Sequence, residues 1–282
     1  VFSMKWVFCI SVFVSVLVAA QCVTPIVLWH GIGDTCCFSF SIGYIKSMLE
    51  KEIPGVYVYS IRIGNSIEED FYNSYLKNVN DQIEEVCQTL SSDEKLRDGF
   101  HAIGFSQGAQ FLRGLIQRCV DIKVINYISM GGQHQGVYGL PRCRGLYGLC
   151  ELTRKLLSYG AYKSWIQDKL VPAEYWHDPF NEQEYREKST FLAEINNENN
   201  VTELYVDQLL RLQAMVLVKF NRDTVVIPKE TSHFEFYAPR QDQTILPLVN
   251  SSIFTEERLG LQRMYIYNTL KFLVVDGDHL QF

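Results

Sequence analysis

Short runs of continuous apolar residues alternate along the chain with stretches in which apolar residues recur every three or four positions. The continuous runs are typical of strands buried on both faces of a parallel sheet, and the periodic stretches are typical of helices that cover those faces. The pattern therefore predicts an α/β protein with a mostly parallel sheet. The predicted strands are 26–30, 56–61, 100–105, 124–129, 214–220 and 272–275.

Helices are predicted between these strands. Apolar residues within 42–49 recur at helical spacing, those within 71–90 lie on one helical stripe, and a third helix follows at about 107–118. The region of about 131–211 differs, because glycine- and proline-rich turns are followed there by amphipathic stretches with no clear strand. We interpret 131–211 as a helical insertion over the carboxyl edge of the sheet, where open α/β sheets bind their ligands.

Residues 1–20 have the pattern of a secretory signal peptide. Lys5 precedes an apolar run from Trp6 to Ala20 that ends in small residues. The run is too short for a typical membrane-spanning helix, and no later stretch is apolar for long enough to span a bilayer. We predict cleavage after Ala20 or within two residues of it, which leaves one domain over 23–282. A buried N-terminal helix or a membrane anchor is the alternative.

Charge and cysteine content narrow the possible partners and compartments. The net charge is −6, so we expect no nucleic-acid partner. Eight cysteines fit an oxidising compartment, and six remain if Cys9 and Cys22 leave with the signal. The sequons at Asn200 and Asn250 predict N-glycosylation. The histidines and cysteines lack the spacing of a zinc site, so we expect no metal.

The segment Gly104-Phe105-Ser106-Gln107-Gly108 is the strongest candidate for chemistry. It lies between a predicted buried strand and a predicted helix, which is the context that a nucleophile elbow requires. The sharp turn exposes the serine at the top of the sheet, and glycines on either side let other backbone pass close by. The elbow therefore indicates the α/β-hydrolase fold, with Ser106 as the nucleophile.

A serine nucleophile needs a histidine base, and the base needs an acid that fixes its tautomer. In this fold the acid precedes the histidine along the chain. His279 follows the last predicted strand and is the favoured base, whereas His233 lies among aromatic residues. Asp223 directly follows the strand 214–220 and is the favoured acid. The other candidate acids, which lie too close to His279 in sequence or away from a strand end, are Asp207, Asp242, Asp276 and Asp278.

The turn after the first predicted strand, 30–34, is the expected source of a second oxyanion donor. Its glycines allow the backbone to fold back over the elbow. We expect the backbone amides of Ile32 and Gln107 to form the oxyanion hole, and we interpret His30 as structural. A tight turn without a catalytic role is the alternative.

Several strings in one order resemble the palmitoyl-protein thioesterase family, over nearly the whole chain from about residue 25. The string Gly-Gly-Gln-His-Gln-Gly at 131–136 favours the lysosomal type 1 form over the type 2 form. The other strings are His-Gly-Ile-Gly-Asp-Thr-Cys-Cys at 30–37, Gly-Phe-Ser-Gln-Gly-Ala-Gln-Phe-Leu-Arg at 104–113, Ala-Glu-Tyr-Trp-His-Asp-Pro at 173–179, Glu-Arg-Leu-Gly-Leu at 257–261 and Gly-Asp-His-Leu-Gln at 277–281.

The resemblance implies the triad Ser106, Asp223 and His279, and no cofactor. It also implies hydrolysis of long-chain fatty acyl thioesters on S-palmitoylated proteins in the lysosome, reached through the secretory pathway. The insertion would hold the acyl chain. The disulfides that the resemblance implies are Cys36–Cys37, Cys87–Cys119 and Cys143–Cys150, and the residues that could line the acyl groove are Trp165, Leu170, Val171, Tyr175 and Trp176.

Two features depart from the family. The family continues beyond the position of Phe282 with a terminal helix, and Val1 stands ahead of Met4, so we expect the sequence to be incomplete. Two other functions stay open. A lipase or carboxylesterase would use the same triad, and a non-catalytic lipid-binding protein could be built on the same scaffold.

Overall fold

The computed structural model describes residues 23–139 and 147–281. The predicted signal peptide and Cys143 lie outside the described residues. Within the described ranges, six parallel strands form the main sheet in the order β2-β1-β3-β4-β5-β8, and β6 and β7 form a separate antiparallel pair. The strands are β1 (Ile26–Trp29), β2 (Val58–Ser60), β3 (Phe100–Phe105), β4 (Val124–Met130), β5 (Ala214–Phe220), β6 (Phe236–Tyr237), β7 (Ile245–Leu246) and β8 (Leu270–Val275).

Helices cover this sheet, and the predicted α/β-hydrolase architecture is confirmed. The α-helices among the described residues are α1 (Ile42–Glu52), α2 (Ile67–Leu76), α3 (Val79–Ser92), α4 (Gln107–Arg118), α5 (Tyr147–Gly160), α6 (Ser164–Lys169), α7 (Val171–Glu174), α8 (Glu182–Lys188), α9 (Leu192–Ile195), α10 (Glu203–Leu210), α11 (Ser252–Thr255) and α12 (Leu261–Ile266). Short 3₁₀ helices cover Glu94–Leu96, Lys229–His233 and Leu248–Asn250.

Strand β1 shows why the apolar runs are continuous. Val27 and Trp29 point into the larger core, which includes side chains of α3 and α4, while Ile26 and Leu28 point into a smaller core with Ile42 of α1. Because successive strand residues face opposite sides, a strand covered on both faces needs apolar residues at every position. The sheet order reverses at β1, so the carboxyl ends of β1 and β3 border the crevice where this architecture binds ligands.

The single helix predicted within 71–90 is two helices. Lys77 has an extended backbone that ends α2, and the Asn78 side chain accepts a hydrogen bond from the Asn80 backbone at 2.9 Å to begin α3. An asparagine cap of this kind satisfies one of the unpaired N–H groups at a helix start. The apolar stripe was correctly placed on α3, but it did not reveal the break.

Helices α5 to α10 lie between β4 and β5, in the segment interpreted as an insertion. Its lipid-binding role stays a prediction. None of the helices in 23–139 and 147–281 combines the length and the apolar character needed to cross a bilayer.

Two disulfides are present in the described residues. Cys87 on α3 is bonded to Cys119, the residue after α4, and so ties together two helices that pack beside the sheet. Cys36 and Cys37 form a vicinal pair in the loop after β1. Cys150 is disulfide-bonded, and its predicted partner Cys143 lies outside the described residues. A bond that closes a loop stabilises a fold mainly by restricting the unfolded chain.

Candidate active site

Ser106 occupies a strained turn between β3 and α4. Its φ is 53° and its ψ is −124°, a backbone conformation that costs a non-glycine residue about 1–3 kcal/mol. The strain is held in place by neighbouring structure, because the Ser106 N–H donates to the Met130 carbonyl at 2.8 Å. The side chain therefore stands at the first turn of α4, where the positive end of the helix dipole favours a developing negative charge.

The elbow glycines are required by their neighbours. A Cβ on Gly104 would lie 2.3 Å from the Cα of Ala109, and one on Gly108 would lie 2.2 Å from the His30 carbonyl oxygen. Both obstacles are backbone atoms, so no side-chain movement would relieve the overlap. The close contact at Gly108 shows that the end of β1 packs directly against α4.

Asp223 and His279 form a hydrogen-bonded pair. The His279 Nδ1 lies 2.6 Å from Oδ2 of Asp223, whose side chain is fully buried. The other carboxylate oxygen accepts hydrogen bonds from the backbone amides of Val225 and Val226 at 2.8 and 2.9 Å. These bonds fix the carboxylate and assign the Nδ1 proton of His279 to it, which leaves Nε2 available as a base.

His279 and Ser106 border the same piece of backbone. The Cε1 of His279 lies 3.1 Å from the position that a Cβ on Gly131 would occupy. The carbonyl of the preceding residue, Met130, accepts a hydrogen bond from the Ser106 N–H. The Nε2 of His279 is buried, and among the described residues it has no hydrogen-bond partner. In structures without substrate, the hydrogen bond between a base and its nucleophile is often long, and it shortens only when substrate binds. The three predicted triad residues are thus together at the carboxyl edge of the sheet.

The other candidate residues have different partners. Asp278 accepts hydrogen bonds from Thr224 and from the His279 backbone, so it orders the loop that carries His279. Asp276 lies on the surface beside Arg222. His233 directs its Nε2 at the carbonyls of β5 and β8, and burial lowers its pKa to about 4.

The two residues predicted to supply the oxyanion donors, Ile32 and Gln107, both lie near Ser106. Ile32 and Ser106 border the same cavity, and Gln107 is the first residue of α4. Across the described residues, no acceptor is hydrogen-bonded to the backbone N–H of Ile32 or Gln107. The Gln107 side chain is held by the Ser74 carbonyl at 2.9 Å and the Tyr175 hydroxyl at 3.2 Å. Two N–H groups are therefore available near the serine.

Asp70 is a residue of this region that sequence analysis missed. Its side chain is fully buried beneath the turn after β1, and it lies 3.0 Å from the His30 ring. In the sequence it follows Glu68 and Glu69 at the start of a helix, where acidic residues are common on the surface. Only its position on the inner face of α2 distinguishes it from them.

A cavity of about 290 Å³ opens beside Ser106. Of the predicted groove residues, Tyr175 lines it. Leu170 and Val171 pack into the core instead, and Trp165 and Trp176 border a separate outer cavity of about 1080 Å³. The residues lining the inner cavity are Ile32, Gly33, Tyr75, Ser106, Gln133, Val137, Gly139, Cys150, Thr153, Leu157, Pro172, Tyr175, Val225 and Val226.

The remaining predictions concern the surface and metals. Asn200 and Asn250 are both exposed, as acceptors of N-glycans must be. No group of three or more histidine, cysteine or acidic side chains suited to a metal ion occurs within the described ranges.

Comparisons with known proteins identify the family of the chain. The family model described as palmitoyl protein thioesterase matches residues 25–279. The chain is 46% identical to palmitoyl-protein thioesterase 1 of Caenorhabditis elegans, over 91% of this chain and 86% of that protein. It is 37% identical to palmitoyl-protein thioesterase 3 of Dictyostelium discoideum, over 90% and 84%. It is 27% identical to the lysosomal thioesterase PPT2 homolog of Drosophila melanogaster, over 91% and 84%. Because the family model covers most of the chain and a relative is 46% identical over 91% of it, the chain belongs to the palmitoyl-protein thioesterase family.

Proposed function

We propose that this protein hydrolyses long-chain fatty acyl thioesters on the cysteines of S-acylated proteins. The observation that carries the proposal is the hydrogen-bonded Asp223–His279 pair near Ser106, next to a largely apolar cavity, in a chain of the palmitoyl-protein thioesterase family. The pair supplies a base, the elbow supplies a nucleophile, and the cavity supplies a place for an acyl chain.

The first half of the reaction forms an acyl-enzyme. His279 Nε2 takes the proton from the Ser106 hydroxyl as its oxygen attacks the thioester carbonyl carbon. Asp223 stabilises the imidazolium that results. The amides of Ile32 and Gln107 donate to the oxyanion of the tetrahedral intermediate. The carbon–sulfur bond then breaks, and the cysteine sulfur leaves with the proton from His279.

The second half releases the fatty acid. Water gives a proton to His279 and attacks the acyl carbonyl, and collapse of the second tetrahedral intermediate restores the serine hydroxyl. Each proton that leaves the nucleophile passes through the same imidazole. The sequence of steps uses only acid–base and nucleophilic chemistry, so it requires no cofactor.

Replacement of the nucleophile tests the proposal. We expect Ser106→Ala to abolish release of thiol from a palmitoyl-cysteine peptide. Ser232→Ala is the matched control, because Ser232 is also buried and its hydroxyl has no hydrogen-bond partner among the described residues. Thiol release by Ser106→Ala at the wild-type rate would show that the nucleophile lies elsewhere.

A lipase or carboxylesterase would use the same triad. The family match favours a thioester over an oxygen ester as the substrate. Matched oxygen and sulfur esters of one acyl chain separate the two readings by their relative kcat/KM. A non-catalytic lipid-binding protein would not react with a serine-directed fluorophosphonate, whereas the proposed hydrolase should be labelled at Ser106 and nowhere else.

Residence in the lysosome, reached through the secretory pathway, is the second part of the proposal. It is supported by the Drosophila relative, which is named a lysosomal thioesterase, and by the exposed sequons at Asn200 and Asn250. A glycosidase-sensitive mass that Asn200→Gln and Asn250→Gln together remove would support entry into that pathway. An unglycosylated protein in the cytosol would contradict it.

A further inference from the structure

The His30 ring is held between two acceptors. Its Nδ1 lies 2.9 Å from the carbonyl oxygen of Gly31, and its Nε2 lies 3.0 Å from Oδ1 of Asp70. A neutral imidazole carries one proton and donates from one nitrogen alone, whereas a charged imidazolium donates from both. Because both nitrogens face oxygens that accept, the geometry fits the imidazolium form.

Asp70 is itself fixed by the surrounding backbone. Its Oδ1 also accepts from the Ile63 amide at 2.7 Å, and its Oδ2 accepts from the Cys36 amide at 2.8 Å. Burial alone lowers the pKa of His30, but the hydrogen bond and the negative charge of Asp70 outweigh it, and the pKa is raised. A buried charge that is paired and fully hydrogen-bonded is stable in such a place.

The Gly31 carbonyl belongs to the same peptide unit as the Ile32 N–H. In a planar trans peptide the C=O and N–H bonds point in opposite directions, so a bond that fixes the oxygen also fixes the N–H. Gly31 lies against the elbow, because a Cβ there would stand 3.1 Å from the Cβ of Ser106. The orientation of one predicted oxyanion donor is therefore set by the His30 ring.

We propose that His30, anchored by Asp70, is a positioning residue that holds the Gly31–Ile32 peptide so that the Ile32 N–H faces the oxyanion. The proposal rests on the proposed function and deepens it. Donation to the Gly31 oxygen also polarises the peptide and strengthens the Ile32 N–H as a donor in this buried site. Donors that are oriented before the reaction stabilise the transition state more than the bound substrate.

Two substitutions separate the two hydrogen bonds of the ring. His30→Gln places an amide nitrogen near the position of Nε2, where it can still donate to Asp70, and loses the bond to Gly31. His30→Asn places its nitrogen near Nδ1, where it can still donate to Gly31, and leaves Asp70 without this partner. His101→Gln is the control, because His101 lies on β3 at the end opposite Ser106.

We expect His30→Gln to lower kcat for a palmitoyl thioester roughly 10- to 100-fold with little change in KM, since a misplaced donor costs up to about that factor. His30→Asn should retain more of kcat although its thermal stability falls further. A purely structural role predicts the reverse order, with the less stable His30→Asn also the less active. That order, or wild-type kcat in a folded His30→Gln, would overturn the proposal.

Two ligands separate this proposal from the proposed function. A palmityl trifluoromethyl ketone forms an oxyanion on reaction with Ser106, whereas a palmityl thioether does not. His30→Gln should weaken binding of the ketone by the same factor by which it lowers kcat/KM. It should leave the affinity for the thioether unchanged. Equal weakening of both ligands would overturn the positioning role. Failure of the ketone to inhibit the wild type would instead count against the serine-hydrolase function.

A measurement on the wild type covers the case in which neither His30 variant folds. NMR spectra of protein labelled with ¹⁵N in its histidine rings report which ring nitrogens carry protons. We expect protons on both nitrogens of His30 at neutral pH, with the Nδ1 proton hydrogen-bonded. A His30 ring with an unprotonated Nδ1 would overturn the proposal, because such a nitrogen cannot donate to the Gly31 carbonyl.

Discussion

The Nδ1 of His279 lies 2.6 Å from Oδ2 of a fully buried Asp223. Asp223→Asn would put an amide beside that nitrogen and favour the wrong tautomer of the ring. In a serine–histidine–aspartate triad this change lowers kcat by about 10⁴-fold while the geometry survives. We therefore expect Asp223→Asn to lower kcat on a palmitoyl thioester roughly 10³- to 10⁴-fold.

Steady-state kinetics measure this effect, with Asp276→Asn as the control because Asp276 is a nearby exposed acid. The circular dichroism spectrum of Asp223→Asn should match that of the wild type. Activity within tenfold of the wild type would mean that a different acid supports the base.

Gly108 should not tolerate a side chain. Its added Cβ would lie 2.2 Å from the His30 oxygen and 2.5 Å from the Trp29 oxygen, both of them backbone atoms at the end of β1. We expect Gly108→Ala to lower the free energy of unfolding by more than about 4 kcal/mol, and soluble yield to fall with it. Gly148→Ala is the control, since nothing lies within 4 Å of its added Cβ. Equal yields of the two variants would contradict this reading.

The side chain of Glu174 caps the start of α3. Its two carboxyl oxygens lie 3.0 and 3.2 Å from the backbone nitrogen of Val79, the first residue of that helix. No other acceptor among the described residues is hydrogen-bonded to this buried N–H, and leaving it unpaired costs about 1–3 kcal/mol. We expect Glu174→Ala to lose about that much in urea unfolding, and Glu174→Gln, which keeps one acceptor oxygen, to lose less. Equal losses would show that packing, and not the hydrogen bond, is what matters.

His233 should make stability depend on pH. Burial, with a smaller contribution from the charge of Lys219, lowers its pKa from 6.5 to about 4. Between those values the unfolded chain binds a proton that the folded chain does not, so the free energy of unfolding falls as the pH falls from 6.5 towards 4. His233→Gln removes this titration and should show a shallower fall in urea unfolding over the same window. Parallel profiles would assign the pH dependence to other groups.

The elements that sequence analysis predicted well are those whose signal is local. The continuous apolar runs located all six strands of the main sheet, although β8 begins at Leu270, two residues before the predicted start. The elbow was recognisable because a strand is followed at once by a turn with a serine between two glycines, and then by a helix. His279 and Asp223 could be chosen because each directly follows a strand, and all parallel strands end at one edge of the sheet.

The features that were missed depend on contacts between distant segments. Asp70 is one of three consecutive acidic residues on α2, and its buried partners His30 and Cys36 lie in the turn after β1, more than thirty residues away along the chain. Trp165 and Tyr175 are both aromatic residues of the insertion, yet Tyr175 lines the inner cavity and Trp165 is half exposed. Periodicity assigns a residue to a helix face, but not to a particular neighbour.

The two elbow glycines are constrained by the architecture, whereas the serine between them is constrained by chemistry. A descendant of this gene could lose the hydroxyl of Ser106 and keep its shape, since the turn depends on the hydrogen bond from the Ser106 backbone and on Gly104 and Gly108. Such a descendant would retain the fold of a hydrolase but would have no hydrolase activity. Similarity of fold is therefore a poor guide to which members of this family are enzymes. The identity of the residue at position 106 is a better guide.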